Sequence, residues 1–164
     1  MVLITTAAGY AAAGHFDAIT LAIVMAGVAL LAAGTNAMNE YLERDFDAQM
    51  QRTAGRPVPS GRISPSHALL FALAAAFLGT SLLAIVNILT SVIGALTFLS
   101  YNFVYTPLKR VTPACTVIGA ISGAAGPLIG WTAARNSVGI GGALVFAVLF
   151  LWQLPHFMAI SWTH

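Results

Sequence analysis

Charged residues are scarce in this sequence. Only 7% of its 164 residues are charged, with seven Lys or Arg and five Asp or Glu, whereas 59% are apolar and the mean hydropathy is +0.86. A soluble domain carries about a quarter charged residues, so the composition is that of a polytopic membrane protein. The net charge of +2 and the few basic residues are not typical of a nucleic-acid-binding surface.

No Asp, Glu, Lys or Arg occurs between His67 and Leu108. This run is long enough for two membrane crossings, because one helical crossing needs roughly 20 apolar residues. The sequence also lacks the alternating pattern of a membrane barrel, and an open sheet cannot satisfy its backbone in lipid. We therefore predict an all-α, polytopic transmembrane helix bundle.

The chain also lacks a second cysteine, so Cys115 cannot form an internal disulfide, and we predict a structural role for it. The N-terminal apolar run has no basic residue before it, unlike a signal peptide. As a helix it would span about 18 Å, too short for a hydrocarbon core of about 30 Å. We expect that this segment has lost its beginning.

Six apolar segments are predicted as helices. They run to about Ala13, from about Ala18 into a charged stretch, and over about 68–86, 88–105, 114–134 and 138–162. The third and fourth are separated by little more than Asn87, which predicts a tight helical hairpin. All 164 residues are assigned to one transmembrane domain.

The few charges are unevenly distributed between the two ends of the predicted bundle. With the loop after the second helix in the cytoplasm, all basic residues except Arg135 lie on that side, and so do all acidic residues except Asp17. The positive-inside rule supports this orientation. A scaffold needs solubilising charge at both faces, so the asymmetry predicts a functional site at the cytoplasmic end.

Most of the charge lies in one short stretch, residues 39–57. Asn39, Glu43 and Asp47 are spaced four residues apart and share one face if the second helix continues that far. Neighbouring carboxylates repel each other, which favours a bound cation. Oxygen ligands of this kind suit Mg²⁺ shared with a substrate phosphate, and Arg52 and Arg56 could contact that phosphate.

The simplest alternative is a solvated loop helix whose charges only fix the orientation of the protein. Arg44 is expected to pair with Glu40, and Asp45 points elsewhere, either as a supporting group or exposed.

Four stretches together carry a resemblance to a known family. NEYLERDFDAQMQRTAGRPVPSGRISP (39–65) resembles the first aspartate-rich region of the UbiA superfamily of intramembrane prenyltransferases. YTPLKRVTP (105–113), IGAISGAAGPLIGWTA (118–133) and FLWQLPHFMAI (150–160) are similar to segments of its haem-farnesylating branch. The likeness covers nearly the whole chain, with the motifs in the family's order.

The resemblance implies transfer of the farnesyl group of farnesyl diphosphate to a vinyl group of protohaem IX (haem B). The product is haem O and diphosphate is released; haem B is a substrate and not a cofactor. It implies that Asn39, Glu43 and Asp47 hold Mg²⁺ on the diphosphate, with Glu43 where the family usually has Asp. It also implies a multi-pass protein of the bacterial inner membrane, with haem A synthase or terminal oxidase assembly as possible partners.

Further roles follow from the matched segments. By resemblance, Arg52 and Arg56 contact the phosphates, and Lys109, Arg110 and Tyr105 help to hold diphosphate or the haem propionates. Ordinary anchoring at the membrane surface is the alternative for these last three. Trp152 and His156 are predicted to contact haem, with an interfacial histidine as the alternative; His67 and His164 are expected to have no special role.

Four glycines, at 119, 123, 126 and 130, share a helix face. They predict close helix packing or a flat wall for a prenyl chain or porphyrin, and Pro127 is expected to bend their helix.

The family has about nine helices and a second acidic motif that this sequence does not contain. We therefore expect the chain to be incomplete at both ends and inactive alone. Two other functions stay open: a UbiA-type prenyltransferase for a quinone precursor or chlorophyllide, and a transporter or non-catalytic membrane scaffold. The length of the prenyl donor and the oligomeric state are not determined by the sequence.

Overall fold

Regular structure in the described part of the chain is entirely helical, which confirms the predicted fold class. The computed structural model describes residues 1–112 and 115–163, with side chains described in these ranges up to residue 155. The elements are α1 (Val2–Ala12), α2 (Ala18–Asp47), α3 (Pro65–Val86), α4 (Ile88–Leu99), a π-helical segment (Ser100–Tyr105), α5 (Thr106–Leu108), α6 (Cys115–Gly123), α7 (Ala125–Arg135) and α8 (Gly139–Thr163).

Four stretches of the described residues are long and apolar enough to cross a membrane. They are Ala18–Asp47, Pro65–Val86, Ile88–Leu108 and Cys115–Arg135; Val2–Ala12 and Gly139–Pro155 are shorter apolar helices. Large apolar side chains point outward on these helices, as expected where lipid and not water is the surrounding solvent. The chain is a multi-pass membrane protein.

Helices α2 and α3 pack with their backbones in close approach. A Cβ atom on Gly79 would lie 2.8 Å from the Gly27 carbonyl oxygen, and one on Gly34 would lie 2.8 Å from the Ala72 carbonyl oxygen. Small residues allow the two backbones to approach closely, and the resulting van der Waals packing contributes to helix association in lipid. The tight pair fixes the position of α2, the helix that carries most of the charged residues.

Polar side chains connect the helices at the end of the bundle away from the charged stretch. Asn87 separates α3 from α4, as predicted, and its Oδ1 accepts a hydrogen bond from the Thr90 N–H (2.8 Å). Its Nδ2 donates to the Thr132 carbonyl on α7 (3.0 Å). Arg135 donates from Nε to the Ala13 carbonyl (2.6 Å) at the end of α1. These bonds hold the helix turns at this end together.

The glycine-rich segment is two helices and not one. The break falls at Ala124, three residues before Pro127, whose ring nitrogen cannot donate to the carbonyl one turn earlier. A Cβ on Gly130 would overlap the Thr6 carbonyl of α1. Close packing is therefore confirmed for this part of the glycine face, and the helix is interrupted at Ala124, close to the bend expected from Pro127.

Candidate active site

The charged face of α2 is continuous, because α2 remains helical through Asp47. Glu43 is only 6% exposed and Asp47 only 4% exposed. Buried carboxylates are costly without partners of opposite charge or hydrogen-bond donors. Each of the two has such partners, and they come from other parts of the chain.

Glu43 is held by two cations that follow α5. Lys109 Nζ lies 2.5 Å from Oε2, and Arg110 Nη2 lies 3.3 Å from Oε1. The Lys109 amine also lies 5.7 Å from the centre of the Tyr105 ring, and the Arg110 guanidinium stacks 3.6 Å from the centre of the Phe46 ring. The predicted association of Lys109, Arg110 and Tyr105 in one site is thus present, and Glu43 is at its centre.

Asp47 is paired with the loop that follows α2. Arg56 Nη1 lies 2.7 Å from Asp47 Oδ2, and the Thr53 hydroxyl donates to the Asp47 carbonyl (3.0 Å). These contacts fold residues 48–64 back over the end of α2. They place the Arg56 guanidinium, which is partly exposed, beside the carboxylate face.

The predicted ion pair between Arg44 and Glu40 does not form. Glu40 Oε1 accepts the backbone N–H of Val58 (2.7 Å), which helps to hold the loop, while Arg44 donates to the Tyr41 carbonyl and pairs with Asp45. The Val58 N–H of the loop needs a hydrogen-bond acceptor, and Glu40 provides it, so this carboxylate is not paired with Arg44. Asp45 itself is exposed.

Asn39 lies one turn before Glu43 and is oriented by Thr106. The Thr106 hydroxyl donates its only proton to the Tyr101 carbonyl (2.9 Å), so it must accept the bond from Asn39 Nδ2 (2.9 Å). The amide nitrogen therefore faces Thr106, and the oxygen Oδ1 faces away from it. The π-helical segment makes this contact possible, because it brings the Thr106 backbone and side chain to the same carbonyl.

An apolar cavity of about 360 Å³ opens beside this cluster. It is lined by one face of α2, by the π-helical segment, α6 and α7, and by single residues of α1 (Val2), α4 (Thr97) and α8 (Gln153). These residues are Val2, Val28, Leu31, Ala32, Thr35, Asn36, Thr97, Tyr101, Tyr105, Gly119, Ser122, Gly123, Ala125, Gly126, Ile129 and Gln153. Three of the four glycines predicted to share a face, at 119, 123 and 126, form part of the wall.

The structure thus places a buried ion-paired cluster beside an apolar cavity in a bundle of membrane helices. The UbiA prenyltransferase family matches residues 2–164. The chain belongs to this family.

Curated members of the family are similar over most of the chain. The protoheme IX farnesyltransferase of Myxococcus xanthus is 43% identical over 163 residues, which cover 98% of this chain and 55% of that protein. That of Sorangium cellulosum is 49% identical over 142 residues, 86% of this chain and 51% of that protein. The human mitochondrial protoheme IX farnesyltransferase is 42% identical over 99% of this chain and 37% of its own length. The chain spans about half the length of the bacterial relatives.

Two solved structures share the fold. A UbiA homolog from Aeropyrum pernix K1 has a TM-score of 0.79 and 22% identity over 93% of this chain and 58% of that one. A digeranylgeranylglyceryl phosphate synthase has a TM-score of 0.77 and 23% identity over 93% of this chain and 53% of that one. At this identity the likeness establishes the common architecture of the UbiA family and no more.

The side chains of the cluster fit Mg²⁺ only when the ion is shared with a ligand. Both carboxylate oxygens of Glu43 already contact cations, whereas Asn39 Oδ1 and Asp47 Oδ1 have no hydrogen-bond partner among the described residues. No group of three or more acidic, His or Cys side chains that could hold a metal occurs in the described part of the chain. Mg²⁺ commonly takes one or two carboxylates together with water and substrate phosphate oxygens, and this arrangement fits that mode.

Other predicted site residues lie away from the cluster or outside the described side chains. Arg52 is exposed and forms no ion pair with a described residue, and Trp152 is 56% exposed and does not line the cavity. Their roles stay predictions. The His156 side chain and all of His164 lie outside the described residues. His67 is exposed in the first turn of α3, beside the capping Ser64 hydroxyl (2.7 Å).

Three residues of the site were missed in the sequence. Thr106 follows Tyr105 in a segment that was singled out, but only its bond to Asn39, 67 positions earlier, identifies it. Gln153 follows Trp152 and is the one that faces the cavity. Tyr101 precedes Tyr105 by one helical turn, and this spacing was the available signal for it.

Proposed function

We propose that this protein transfers the farnesyl group of farnesyl diphosphate to a vinyl group of protohaem IX, forming haem O and releasing diphosphate. The observation that carries the proposal is the cluster of Lys109, Arg110 and Arg56 around two buried carboxylates at an apolar cavity. The choice of haem as acceptor is supported by the relatives named protoheme IX farnesyltransferase, which are 42–49% identical. Haem B is then a substrate, as the sequence resemblance implied.

The cations of the cluster bind the diphosphate. As the allylic C–O bond breaks, negative charge accumulates on the leaving diphosphate, and ammonium and guanidinium groups aimed at it stabilise the transition state more than the ground state. Lys109 and Arg110 reach this position from the end of α5, and Arg56 reaches it from the loop. We propose that the exposed Arg52 adds a further phosphate contact.

The carboxylate face of α2 provides the metal side of the same site. Asn39 and Asp47 would offer their open oxygens to Mg²⁺ on the diphosphate. Glu43 would become a third ligand when Lys109 and Arg110 leave its carboxylate and bind the phosphates. Bound Mg²⁺ would supply Lewis-acid stabilisation of the leaving group. Thr106 keeps the Asn39 oxygen, and not its nitrogen, available for this purpose.

The cavity provides the second requirement of the reaction, a place from which bulk water is excluded. Its volume of about 360 Å³ lies within the usual range of ligand pockets, about 300–1,000 Å³. A farnesyl group that develops carbocation character would be captured at once by bulk water. Aliphatic side chains of α2 and α7, among them Val28, Leu31 and Ile129, line the wall and would disfavour water beside a bound farnesyl group.

We further propose that the site faces the cytoplasm at a bacterial inner membrane. Six of the seven basic residues lie at the end of the bundle that carries the cluster, and Arg135 lies at the other. The positive-inside rule assigns the end rich in Lys and Arg to the cytoplasm. Partners in haem A synthesis or oxidase assembly remain a prediction from the resemblance.

A haem profile tests the function. The full reading frame that encodes the chain is expressed in a bacterial host lacking its own haem O synthase, and extracted haems are analysed by mass spectrometry. We expect a haem heavier than haem B by one hydroxyethylfarnesyl group, and its loss in Asp47→Asn.

Haem B alone, with the protein present in the membrane, would contradict the haem assignment. A prenylated quinone precursor or chlorophyllide would instead support the other prenyltransferase activity. A phenotype that is independent of Mg²⁺ and intact in Asp47→Asn would favour a transporter or scaffold.

A further inference from the structure

A buried amide group opens into the apolar cavity without a hydrogen-bond partner among the described residues. Gln153 lies on α8, is 7% exposed and lines the cavity. Its side chain makes no hydrogen bond to any described residue. Gly123 faces it from α6, and a Cβ atom at this glycine would overlap Gln153 Oε1. The amide of Gln153 therefore occupies space that is open only because residue 123 has no side chain.

Two hydroxyl groups on the same wall are already satisfied within their own helices. The Thr35 hydroxyl donates to the Leu31 carbonyl (2.7 Å), and the Thr97 hydroxyl donates to the Ile93 carbonyl (2.7 Å). These bonds lie along their own helices and leave no proton for a ligand. A buried amide without such a bond is costly, so a group that remains unpaired in the protein alone is expected to have a ligand or water as its partner.

Tyr105 lies close to Gln153 on the same wall. A Cβ on Gly119 would lie 2.8 Å from the Tyr105 ring, and Gly119 precedes Gly123 by one helical turn on α6. Residues one turn apart are about 5–6 Å from each other. The Gln153 amide and the Tyr105 ring thus lie against neighbouring glycines of α6 on one wall of the cavity.

We propose that Gln153 binds the water molecule that completes the transfer reaction, and this inference rests on the proposed haem-farnesylating function. The allylic C–O bond breaks and its electron pair leaves on the diphosphate. The π electrons of the vinyl group form the new C–C bond at the terminal vinyl carbon, which leaves a cation on the carbon next to the porphyrin ring. A lone pair of the bound water forms the C–O bond there, and the released diphosphate takes the water proton.

A neutral amide suits this task. It can accept one hydrogen bond from the water and donate another, but it cannot remove a proton from the substrate cation. A carboxylate or an amine at the same place could act as a base and produce an alkene by loss of a carbon-bound proton. Most of the wall is apolar and offers water few partners, so a water molecule held by the amide would be retained close to the new cation.

The test is the identity of the product made by Gln153→Met, which preserves the length and approximate volume of the side chain. The full-length enzyme and the variant are supplied with farnesyl diphosphate and haem B, and products are separated by mass. We expect the ratio of dehydrated product, lighter by one water, to hydroxylated product to rise about tenfold, the effect of losing one good hydrogen bond. Thr80→Val is the matched control, because the Thr80 hydroxyl donates to the Ala76 carbonyl within its own helix and Thr80 does not line the cavity, so it should leave this ratio unchanged.

The outcomes separate the two proposals. Wild-type enzyme that makes no farnesylated haem overturns the proposed function. Wild-type enzyme that makes the hydroxylated product, with an unchanged ratio in Gln153→Met, overturns the role of Gln153 alone. A variant that accumulates in the membrane but makes neither product also overturns it, because a water-binding group is not needed for the C–C bond.

If Gln153→Met does not accumulate, Gln153→Asn takes its place. It keeps the amide but withdraws it from the cavity by one methylene. The ratio should change in the same direction, and an unchanged ratio would again count against the inference.

Discussion

Replacing Thr106 with Val tests whether this buried hydroxyl orients a ligand of the proposed metal site. Valine has nearly the same shape but can neither accept the bond from Asn39 nor donate to the Tyr101 carbonyl, both 2.9 Å long. The carbonyl keeps its bond from the backbone N–H of residue 106. The loss therefore falls on the Asn39 amide, which becomes free to turn its nitrogen toward the metal.

The expected size of the effect follows from that single bond. One hydrogen bond contributes about 1 kcal/mol, which is about fivefold in an equilibrium constant. We expect the metal concentration for half-maximal binding to rise about fivefold. The assay is electron paramagnetic resonance of Mn²⁺ added to the detergent-solubilised protein with inorganic diphosphate, followed by the Mg²⁺ dependence of prenyl transfer.

Thr106→Ser is the matched control, because it keeps the hydroxyl and removes only a methyl group. It should bind Mn²⁺ like the wild type. Equal Mn²⁺ affinity in the Val and Ser variants would refute the orientation argument, whichever acceptor the enzyme uses.

Three further predictions concern the packing and the charges. Gly34→Ala should lower the free energy of unfolding in detergent by about 1–3 kcal/mol, since its Cβ would lie 2.8 Å from a carbonyl of α3. Gly55→Ala is the control and should leave the stability unchanged, since nothing lies within 4 Å of its Cβ. Equal melting temperatures of the Gly34→Ala and Gly55→Ala variants would contradict the packing argument. Lys109→Met should abolish transfer and lower the melting temperature, because it removes the nearest cation from buried Glu43; unchanged stability would show that the pair is not held in solution. Hydrogen bonds from Thr20 lower the pKa of Asp17 below its ordinary 3.8, so its capping of α2 stabilises the fold above that pH and is lost on acidification through the lowered pKa. Asp17→Asn should flatten this part of the pH–stability curve measured by thermal unfolding, and an unchanged curve would contradict the assignment.

Helix positions could be predicted well because hydropathy and capping signals agree. The predicted start at about Ala18 and the hairpin at Asn87 both match the structure, and in each case a side chain caps the following helix. The charged face of α2 was also predictable, since spacing by four residues specifies one helix face wherever the helix continues.

The partners of that face could not be predicted from spacing. Glu43 and Lys109 are 66 positions apart, and repulsion between neighbouring carboxylates gave no indication that the chain itself would provide the cations. The sequence also could not predict which face of α8 lines the cavity. Apolar residues surround this helix, so no periodicity distinguishes exposed Trp152 from Gln153 in the cavity wall.

The ion pair between Glu43 and Lys109 has a consequence for turnover. A binding site for a multiply charged anion at a membrane surface would, when empty, hold cations that repel one another. In this protein Glu43 pairs with Lys109 and Arg110 and balances their charge. In the proposed reaction, arrival of diphosphate would exchange one counter-ion of Lys109 and Arg110 for another, and its departure would restore the first. The electrostatic contrast between the two states would therefore be small. Such a site can bind its anion selectively and still release it, which a permanently unbalanced cluster of cations would not do.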